Sequence, residues 1–436
     1  MRTAPPERVL TGRPRALVLG TEHPRAAAVV RTLAQAGITV DVADHYDPPT
    51  AFWRSSRYIH KRLLLDENPK RAIVALSEVG EKEGGLLIPT NDHYLIAVSQ
   101  EHATLSKHFK VTVPPWSVLE PLMDKVEAGR LAREAGIETP QYYKPTIESE
   151  LDRDLAELNF QERAYVLKIR MWDTGAADPE TLRRVRQAGN DDATVRARSE
   201  EILNQTGEYP LIEEVVTGGA DRCIGVSMVV DYGHDPVLAY CVRRLKLQLY
   251  SKGRFKHPYE LGANAYCESA YDAEAIELAK KFVKHARYTG AITIEFKRDA
   301  VENRLKFIKA DCRFVRATAL STALGLDMPT ALYEVFSGCD LQLHRKQQYA
   351  TGVNWLWLEA YAYSLWKNRN EVGLVRELWN LAKRLPRVRA WAYFRWSDPL
   401  PSIVLALTAR RRLKLLQNPN ARTATPSGRT ERAVSG

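Results

Sequence analysis

The stretch ITIEFKRDAVENRLKFIKADCRF (residues 292–314) contains two apolar, strand-like runs separated by the short linker AVENR. A linker of this length predicts an antiparallel hairpin. Glu295 lies in the first strand, and Asp311 and Arg313 lie in the second, so the three side chains could meet on one face. Carboxylates beside an arginine can hold a hard cation and a phosphate. The same residues could instead form only a cross-strand salt bridge.

Upstream of this hairpin, the sequence predicts a parallel α/β unit. Residues 16–44 read as a buried strand, an amphipathic helix and a second strand, the order of a βαβ unit. Residues 85–98 repeat the theme and place Asn91 and Asp92 just after a strand, where open α/β sheets bind ligands. His23, after the first strand, is a weaker candidate for a substrate contact, because a lone loop histidine usually binds nothing.

The middle of the chain predicts a change of architecture. Residues 121–143 read as a helix that leads into an extended segment, residues 164–169 read as a buried strand, and residues 173–208 read as a loop and a solvated helix. Five strand-like segments between residues 210 and 314, with one helix at 273–287, predict an antiparallel α+β region.

Two strands of this region carry unusual charges. Lys168 stands inside the apolar run YVLKI, where it could face a phosphate or reach solvent from the strand end. Glu213 and Glu214 follow an apolar Pro-Leu-Ile, and alternation points one carboxylate to each face of the strand. This segment could lie along an adenine ring, or it could be an edge strand with a solvated acidic pair.

Basic residues are concentrated in two places. Arg243, Arg244 and Lys246 share a strand, where alternation puts Arg244 and Lys246 on one face, which could bind a ligand or simply be solvated. Residues 410–436 carry seven arginine and lysine side chains and one glutamate, more than half of the net charge of +10. This tail reads as disordered. The segment 402–416 could form an amphipathic helix that makes weak peripheral membrane contact.

Composition excludes several functional classes. No apolar run reaches the roughly 18–20 residues of a membrane-spanning helix, and the N-terminus has no secretory signal pattern, so we expect a cytoplasmic protein. The five cysteines are far apart, which favours neither a zinc site nor a disulfide framework. No nucleic-acid-binding motif accompanies the positive charge, so we expect no nucleic-acid partner.

Taken in order, these segments resemble the ATP-grasp superfamily over residues 15–340. The likeness is greatest to the predicted carboxylate–amine ligases that also resemble D-aspartate ligase and, more remotely, biotin carboxylase. Each motif is weak alone, but their order and spacing are specific. The motifs are DKVEAGRLAREAGIETP, YVLKI, LIEEVVTGG, IEFKRD and KADCRFVRATALSTALGLDMPTALYEVFSG; the late VNWLWLEAYAY and WSDPLP are similar to the same subgroup.

The resemblance implies an ATP-dependent ligase that joins a carboxylate, through an acyl phosphate, to an amine or a similar nucleophile. It implies ATP and Mg²⁺ as cofactors, small-molecule carboxylate and amine substrates, and a possible homodimer. In the matching motifs, Lys125 and Lys168 would hold phosphates and Glu213 would meet the adenine amino group. The other roles carried over are the backbone of Glu214 and Val216 on adenine, Asp221 on ribose, Glu295 and Asp311 on magnesium, and Arg313 on the transferring phosphoryl group. Arg244 is a further catalytic candidate.

The sequence departs from the family pattern at two points. The family's second strand usually reads Glu-x-Asn-Pro-Arg, whereas this chain has Lys309 at the position that bridges two metal ions. The lysine could replace one ion as a fixed cation, or it could mark a weakened enzyme that acts as a nucleotide or carboxylate sensor. The loop after Lys168 contains a single glycine, Gly175, so a close approach of its backbone to a phosphate would be harder.

The expected organisation is therefore α/β followed by α+β. An N-terminal pre-ATP-grasp βαβ domain precedes a two-lobed ATP-grasp domain and a C-terminal helical appendage, in which six of the nine tryptophans fall between residues 350 and 400. The boundaries are a flexible leader at 1–14, the pre-ATP-grasp domain at 15–118, the ATP-grasp domain at 119–340, the appendage at 341–409 and the basic tail at 410–436.

Overall fold

The computed structural model describes most of the chain between residues 12 and 407. The described ranges are 12–21, 23–45, 51–168, 185–189, 191–251, 259–342, 348–367, 373–405 and residue 407. The interpretations of the leader before residue 12, of the loop that carries Gly175 and of the basic tail lie outside these ranges. So does most of the segment 402–416. The described residues form three sheets.

The N-terminal sheet is parallel and has the strand order β3-β2-β1-β4-β5. Its central strand β1 is buried on both faces, which explains its uninterrupted apolar sequence. Gly20 ends this strand at a φ of 77°, and a Cβ there would lie 2.5 Å from Asn91 Cγ. The predicted βαβ unit is confirmed. The elements are β1 (Ala16–Leu19), α1 (Pro24–Gln35), β2 (Val40–Asp44), α2 (Phe52–Ser55), β3 (Lys61–Leu64), α3 (Pro69–Glu83), β4 (Leu86–Pro89), α4 (Asp92–Gln100), α5 (His102–Leu105), β5 (Lys110–Val111) and α6 (Trp116–Met123).

The helix expected at the start of residues 121–143 is interrupted. Helix α6 ends at Met123, and α7 (Lys125–Glu134) begins anew because the side chain of Asp124 accepts hydrogen bonds from the amides of Val126 and Glu127. The prediction of one continuous helix was wrong because an N-capping aspartate stops one helix and starts the next.

A small four-stranded sheet follows, with the order β6-β9-β7-β8. The sequence analysis grouped the segment LIEE with four later strands. The segment belongs instead to this small sheet, where it pairs antiparallel with the strand Tyr165–Lys168. Two helices cover its apolar face. The elements are β6 (Tyr142–Tyr143), α8 (Glu148–Ala156), β7 (Tyr165–Lys168), β8 (Val185–Gly189), α9 (Asp192–Thr206) and β9 (Leu211–Glu214).

The large sheet has seven strands in the order β14-β13-β10-β11-β12-β15-β16. The predicted hairpin is confirmed, since Glu295 pairs with Lys309 and Thr293 pairs with Asp311 across its strands. One hydrophobic core joins this sheet to the N-terminal domain. The elements are β10 (Cys223–Val230), β11 (Pro236–Ser251), β12 (Tyr259–Ala270), α10 (Ala273–His285), β13 (Gly290–Arg298), β14 (Leu305–Asp311), α11 (Ala319–Ala323), α12 (Met328–Ser337), β15 (Asn354–Leu356), α13 (Leu358–Lys367), α14 (Leu374–Arg384) and β16 (Val388–Trp391).

The C-terminal segment contains the expected helices α13 and α14, together with two strands that the sequence analysis did not predict. Strands β15 and β16 extend the large sheet, and Trp355 in β15 is fully buried. Beyond them, the buried Asp398 accepts a hydrogen bond from Arg31 of α1 at 2.9 Å. The segment is therefore integrated into the body of the protein. Within the described ranges, every helix is too short or too polar to cross a bilayer.

Candidate active site

Four charged side chains form a cluster on one face of the large sheet. Glu295 of β13 is held by the guanidinium group of Arg244 from β11. Opposite it on β14, the Lys309 ammonium lies 2.8 Å from Asp311 Oδ2 and 3.7 Å from Glu295 Oε2. The lysine side chain is 43% exposed, whereas both carboxylates are largely buried. Alternation along the antiparallel hairpin puts Glu295, Lys309 and Asp311 on one face, where the sequence analysis expected the two carboxylates to meet Arg313.

Arg313 connects this cluster to the N-terminal domain. Its guanidinium group donates to both carboxylate oxygens of Asp92, over 2.6 and 2.9 Å, and its Nη1 lies 3.6 Å from Asp311. Asp92 is the first residue of α4, just beyond the carboxyl end of β4, which is the edge where the sequence analysis expected a ligand. The structure thus brings a long-range partner to Arg313 that no local pattern had assigned.

The electrostatics of this cluster follow from mutual compensation. Burial alone would raise the pKa of Asp311, but the charges of Lys309 and Arg313 lower it below its ordinary value. Burial would likewise raise the pKa of Asp92, and Arg313 lowers it. Burial opposes the charge of Arg313, and the two aspartates raise its pKa. All three groups are therefore charged near neutral pH.

Tyr288 positions the turn between Asp311 and Arg313, and sequence reasoning missed it. The single proton of the fully buried hydroxyl is shared between the carbonyl oxygens of Cys312 at 2.9 Å and of Ala291 at 3.0 Å. Burial raises the pKa of this hydroxyl well above its usual range, so it stays protonated as a donor. A buried tyrosine needs a partner for its hydroxyl, but the sequence does not say which one.

The small sheet presents a second set of predicted residues. Lys168 of β7 forms a buried ion pair with Glu213 of the neighbouring β9. Glu214 faces the other way, where its carboxylate lies 2.6 Å from Arg163 Nη1. The expected division of the two glutamates between the faces of the strand is thereby confirmed by their partners. Lys168 is the last residue of β7, but it does not reach solvent, because its side chain is only 10% exposed.

The backbone of the segment after β9, which the resemblance assigned to adenine, is hydrogen-bonded only in part. The Glu214 amide donates to the carbonyl of Gln141 at 2.8 Å, and the Val215 amide donates to the carbonyl of Ala164 at 2.8 Å. Val216 makes no backbone hydrogen bond to another residue in the described ranges. Its N–H and C=O groups can therefore take an external partner.

The remaining candidates lie outside these two groups. Lys125 begins α7 and is half-buried, and Asp221 is exposed in a short 3₁₀ turn after β9. Arg243 binds Glu268 at 2.6 Å on the other side of the sheet from Arg244. Simple alternation does not extend to Lys246, because a β-bulge interrupts the pairing of β11 with β12 between Arg244 and Lys246.

The carboxylates of Glu295 and Asp311 form the candidate magnesium site. Mg²⁺ is usually held by one or two protein carboxylates together with phosphate oxygens and water, and these two fit that demand. No cluster of three or more metal-binding side chains occurs among the residues that the structure describes. The Lys309 ammonium already lies between the two carboxylates, so a metal ion would share them with a fixed positive charge.

Comparison with known proteins identifies the fold of this chain. No protein-family model and no curated protein matches the sequence. Among solved structures, the β,γ-ATP complex of biotin carboxylase from Campylobacter jejuni is 15% identical, with a TM-score of 0.58 over 78% of this chain and 74% of that one. The chain has the ATP-grasp fold.

Two other ATP-grasp structures agree. The biotin carboxylase domain of Hydrogenobacter thermophilus 2-oxoglutarate carboxylase, solved with MgADP and bicarbonate, is 15% identical, with a TM-score of 0.57 over 78% of this chain and 73% of that one. The Staphylococcus aureus N5-carboxyaminoimidazole synthetase is 12% identical, with a TM-score of 0.54 over 76% of this chain and 79% of that one. The parallel N-terminal sheet and the two following sheets of this chain accord with an ATP-grasp protein.

Proposed function

We propose that the protein is an ATP- and Mg²⁺-dependent ligase that joins a carboxylate to an amine or a similar nucleophile. The observation that carries the proposal is the placement of two charged groups on two sheets of an ATP-grasp fold. The small sheet holds the Lys168–Glu213 pair, and the large sheet holds Glu295, Lys309 and Asp311 beside Arg313. Similar structures carry MgADP, ADP or β,γ-ATP.

The small sheet would bind the nucleotide. Glu213 would accept from the adenine amino group, the carbonyl of Glu214 and the backbone of Val216 would complete the reading of the ring edge, and Asp221 would contact the ribose. Lys168 lies within reach of Glu213 and would turn to the phosphates, joined by Lys125. The free backbone groups of Val216 support this assignment.

The large sheet would promote the transfer. A carboxylate oxygen of the substrate attacks the γ-phosphorus, the bond to the bridging oxygen breaks and ADP leaves. The amine then attacks the carbonyl carbon of the acyl phosphate, releasing inorganic phosphate and a proton. Arg313, Lys309 and Arg244 would stabilise the negative charge on the transferring group, and Glu295 and Asp311 would hold Mg²⁺. The metal would supply charge neutralisation of the phosphates.

A second candidate function is a catalytically weakened ATP-grasp protein that senses a nucleotide or a carboxylate. The observation that favours it is the contact of Lys309 with both candidate metal ligands. A positive charge at that point opposes metal binding by ordinary Coulomb repulsion. Such a protein would bind MgATP without turning it over.

The discriminating experiment is Mg²⁺-dependent release of ADP from ATP with a panel of amino acids and small carboxylates. If the protein is a ligase, the wild type should turn over ATP, and Glu295→Gln and Lys168→Met should lose this turnover. The control variant Lys280→Gln should keep it, because it changes only an exposed lysine on α10. Tight MgATP binding without turnover in any mixture would support the sensor, and activity gained in Lys309→Glu would identify the lysine as the cause. Absence of MgATP binding would refute both.

The oligomeric state of the protein and the class of its substrates also remain to be tested. A homodimer is consistent with the dimer of the H. thermophilus biotin carboxylase domain. Small-molecule carboxylate and amine substrates follow from the proposed reaction. Sedimentation of the purified protein would test the dimer directly, because a monomeric mass at micromolar concentration would exclude a stable one.

A further inference from the structure

Two arginines beside the proposed transfer site have no acidic partner among the residues that the structure describes. Arg25 is the second residue of α1, is only 4% exposed, and its Nε makes no hydrogen bond to another described residue. Arg316 lies in a 3₁₀ turn three residues after Arg313, and its buried Nε likewise has no hydrogen-bond partner in the described part of the chain. Neither side chain forms an ion pair within the described ranges. Arg316 instead lies over the Trp357 ring, 5.6 Å from its centroid.

These arginines converge on the edge of the N-terminal sheet where Asp92 lies. Strands β1 and β4 are adjacent and parallel, so α1 and α4, which follow them, begin at the same edge of the sheet. The turn that carries Arg316 packs against α1. The pKa of Arg25 is shifted by the charges of Arg313, Asp92, Arg316 and Asp311, so these five groups lie near one another.

Among the described residues of this neighbourhood, the three arginines outnumber the two aspartates. The carboxylate of Asp92 accepts hydrogen bonds from Nε and Nη2 of Arg313, and the carboxylate of Asp311 accepts one from the Lys309 ammonium group. Within the described ranges, the buried Arg25 and the half-buried Arg316 are therefore left without a counter-ion. Burial, followed by repulsion from Arg313, lowers the pKa of Arg25 well below its usual range. A buried cation without a partner is costly, and an incoming anion would offset that cost.

We propose that Arg25 and Arg316 bind an acidic group, a carboxylate or a phosphate, of the substrate that the ligase activates or extends. The proposal rests on the proposed function for its location and narrows the substrate to a compound that carries an anionic group in addition to the reacting one. Guanidinium groups match such oxyanions through paired N–H donors. The pocket would place that group beside Arg313 and so fix the orientation of the substrate at the transfer site.

The test uses thermal unfolding of the full chain with succinate, inorganic phosphate and neutral succinamide as probes. We expect succinate or phosphate, but not succinamide, to raise the melting temperature of the wild type. The response should vanish in Arg25→Met, and in Arg316→Met the half-saturating concentration should rise about tenfold or more, as expected for a lost charged hydrogen bond. Arg71→Met, which removes an exposed arginine on α3, should respond like the wild type.

The unliganded variants provide an independent readout. If Arg25 has no counter-ion, Arg25→Met should melt no lower than the wild type without any anion. A response to succinate alone identifies a carboxylate site, and a response to phosphate alone identifies a phosphate site. Equal anion responses in all variants, no response in the wild type, or competition by MgATP for the same response would each overturn the proposal. None of these outcomes depends on ADP release, so failure of the ligase proposal is recognised separately.

Discussion

Replacing Asp398 with alanine should destabilise the protein far more than loss of an ordinary surface acid. The carboxylate is almost completely buried and accepts three hydrogen bonds: from Arg31 Nε at 2.9 Å, Ser56 Oγ at 2.7 Å and the Arg57 amide at 3.1 Å. The first joins α1 of the N-terminal domain to the segment that follows the last strand of the large sheet. The contact therefore fastens the two ends of the described chain together.

The magnitude follows from what is left behind. In Asp398→Ala the Arg31 guanidinium group keeps its bonds to the carbonyl oxygens of Tyr393 at 2.7 Å and of residue 398 at 3.1 Å. It loses its counter-ion in a buried place, where burial already lowers its pKa. Breaking a buried ion pair by removing one partner costs about 3–5 kcal/mol. The expected loss of unfolding free energy lies in that range.

The assay is urea unfolding of the wild type, Asp398→Ala, Arg31→Met and the double variant. The double variant should be more stable than Asp398→Ala, because the orphaned charge is removed with its partner. Asp235→Ala breaks an exposed pair with Lys284 and should cost at most about 1 kcal/mol. A cost for Asp398→Ala as small as that of Asp235→Ala, or a double variant no better than the single one, would refute the reasoning.

Three further predictions concern the site. Tyr288→Phe should lower the unfolding free energy by about 1–3 kcal/mol, measured by urea unfolding, because the Cys312 carbonyl loses its buried donor. Lys309→Met should lower the Mg²⁺ concentration needed for half-maximal MgATP binding about fivefold or more, measured by calorimetry, since a unit charge about 4 Å away repels another by about 1 kcal/mol even in water. Asp92→Asn should destabilise the protein at neutral pH by unpairing Arg313. The pKa of Asp92 is lowered in the folded protein, so its ionised carboxylate stabilises the fold fully above the unfolded pKa of about 3.9. This stabilisation is lost as the pH falls through the folded pKa. The unfolding free energies of the wild type and Asp92→Asn should therefore converge in acid.

The hairpin of β13 and β14 could be predicted because its pattern is local. Apolar residues flank Glu295, the linker is short, and alternation limits the register, so a common face for Glu295 and Asp311 could be expected from the amino-acid sequence alone. The pairing of Lys168 with Glu213 does not, because strands β7 and β9 meet only after a long intervening segment.

The elements that escaped prediction lack such local signals. Strand β12 includes the small and polar run GANAYCESA and has no clear alternation, so only its pairing with β11 and β15 makes it a strand. The break at Asp124 depends on a single capping side chain. The bonds of Arg313 to Asp92 and of Arg31 to Asp398 span 221 and 367 residues, distances over which spacing carries no information.

The Asp92–Arg313 pair constrains how the proposed reaction can proceed. The Nε and Nη2 groups of Arg313 cannot donate to a transferring phosphoryl group while both are bonded to Asp92. Its remaining nitrogen, Nη1, lies 3.6 Å from Asp311 and is the one not bonded to Asp92. An acidic substrate held by Arg25 would bring a second anion to the same edge of the sheet and repel Asp92. Arrival of the substrate would then weaken the hold of Asp92 on Arg313 at the step when that charge is needed. On this proposal, Asp92 of the N-terminal domain supplies the acid that offsets the charge of Arg313 until the acidic substrate arrives.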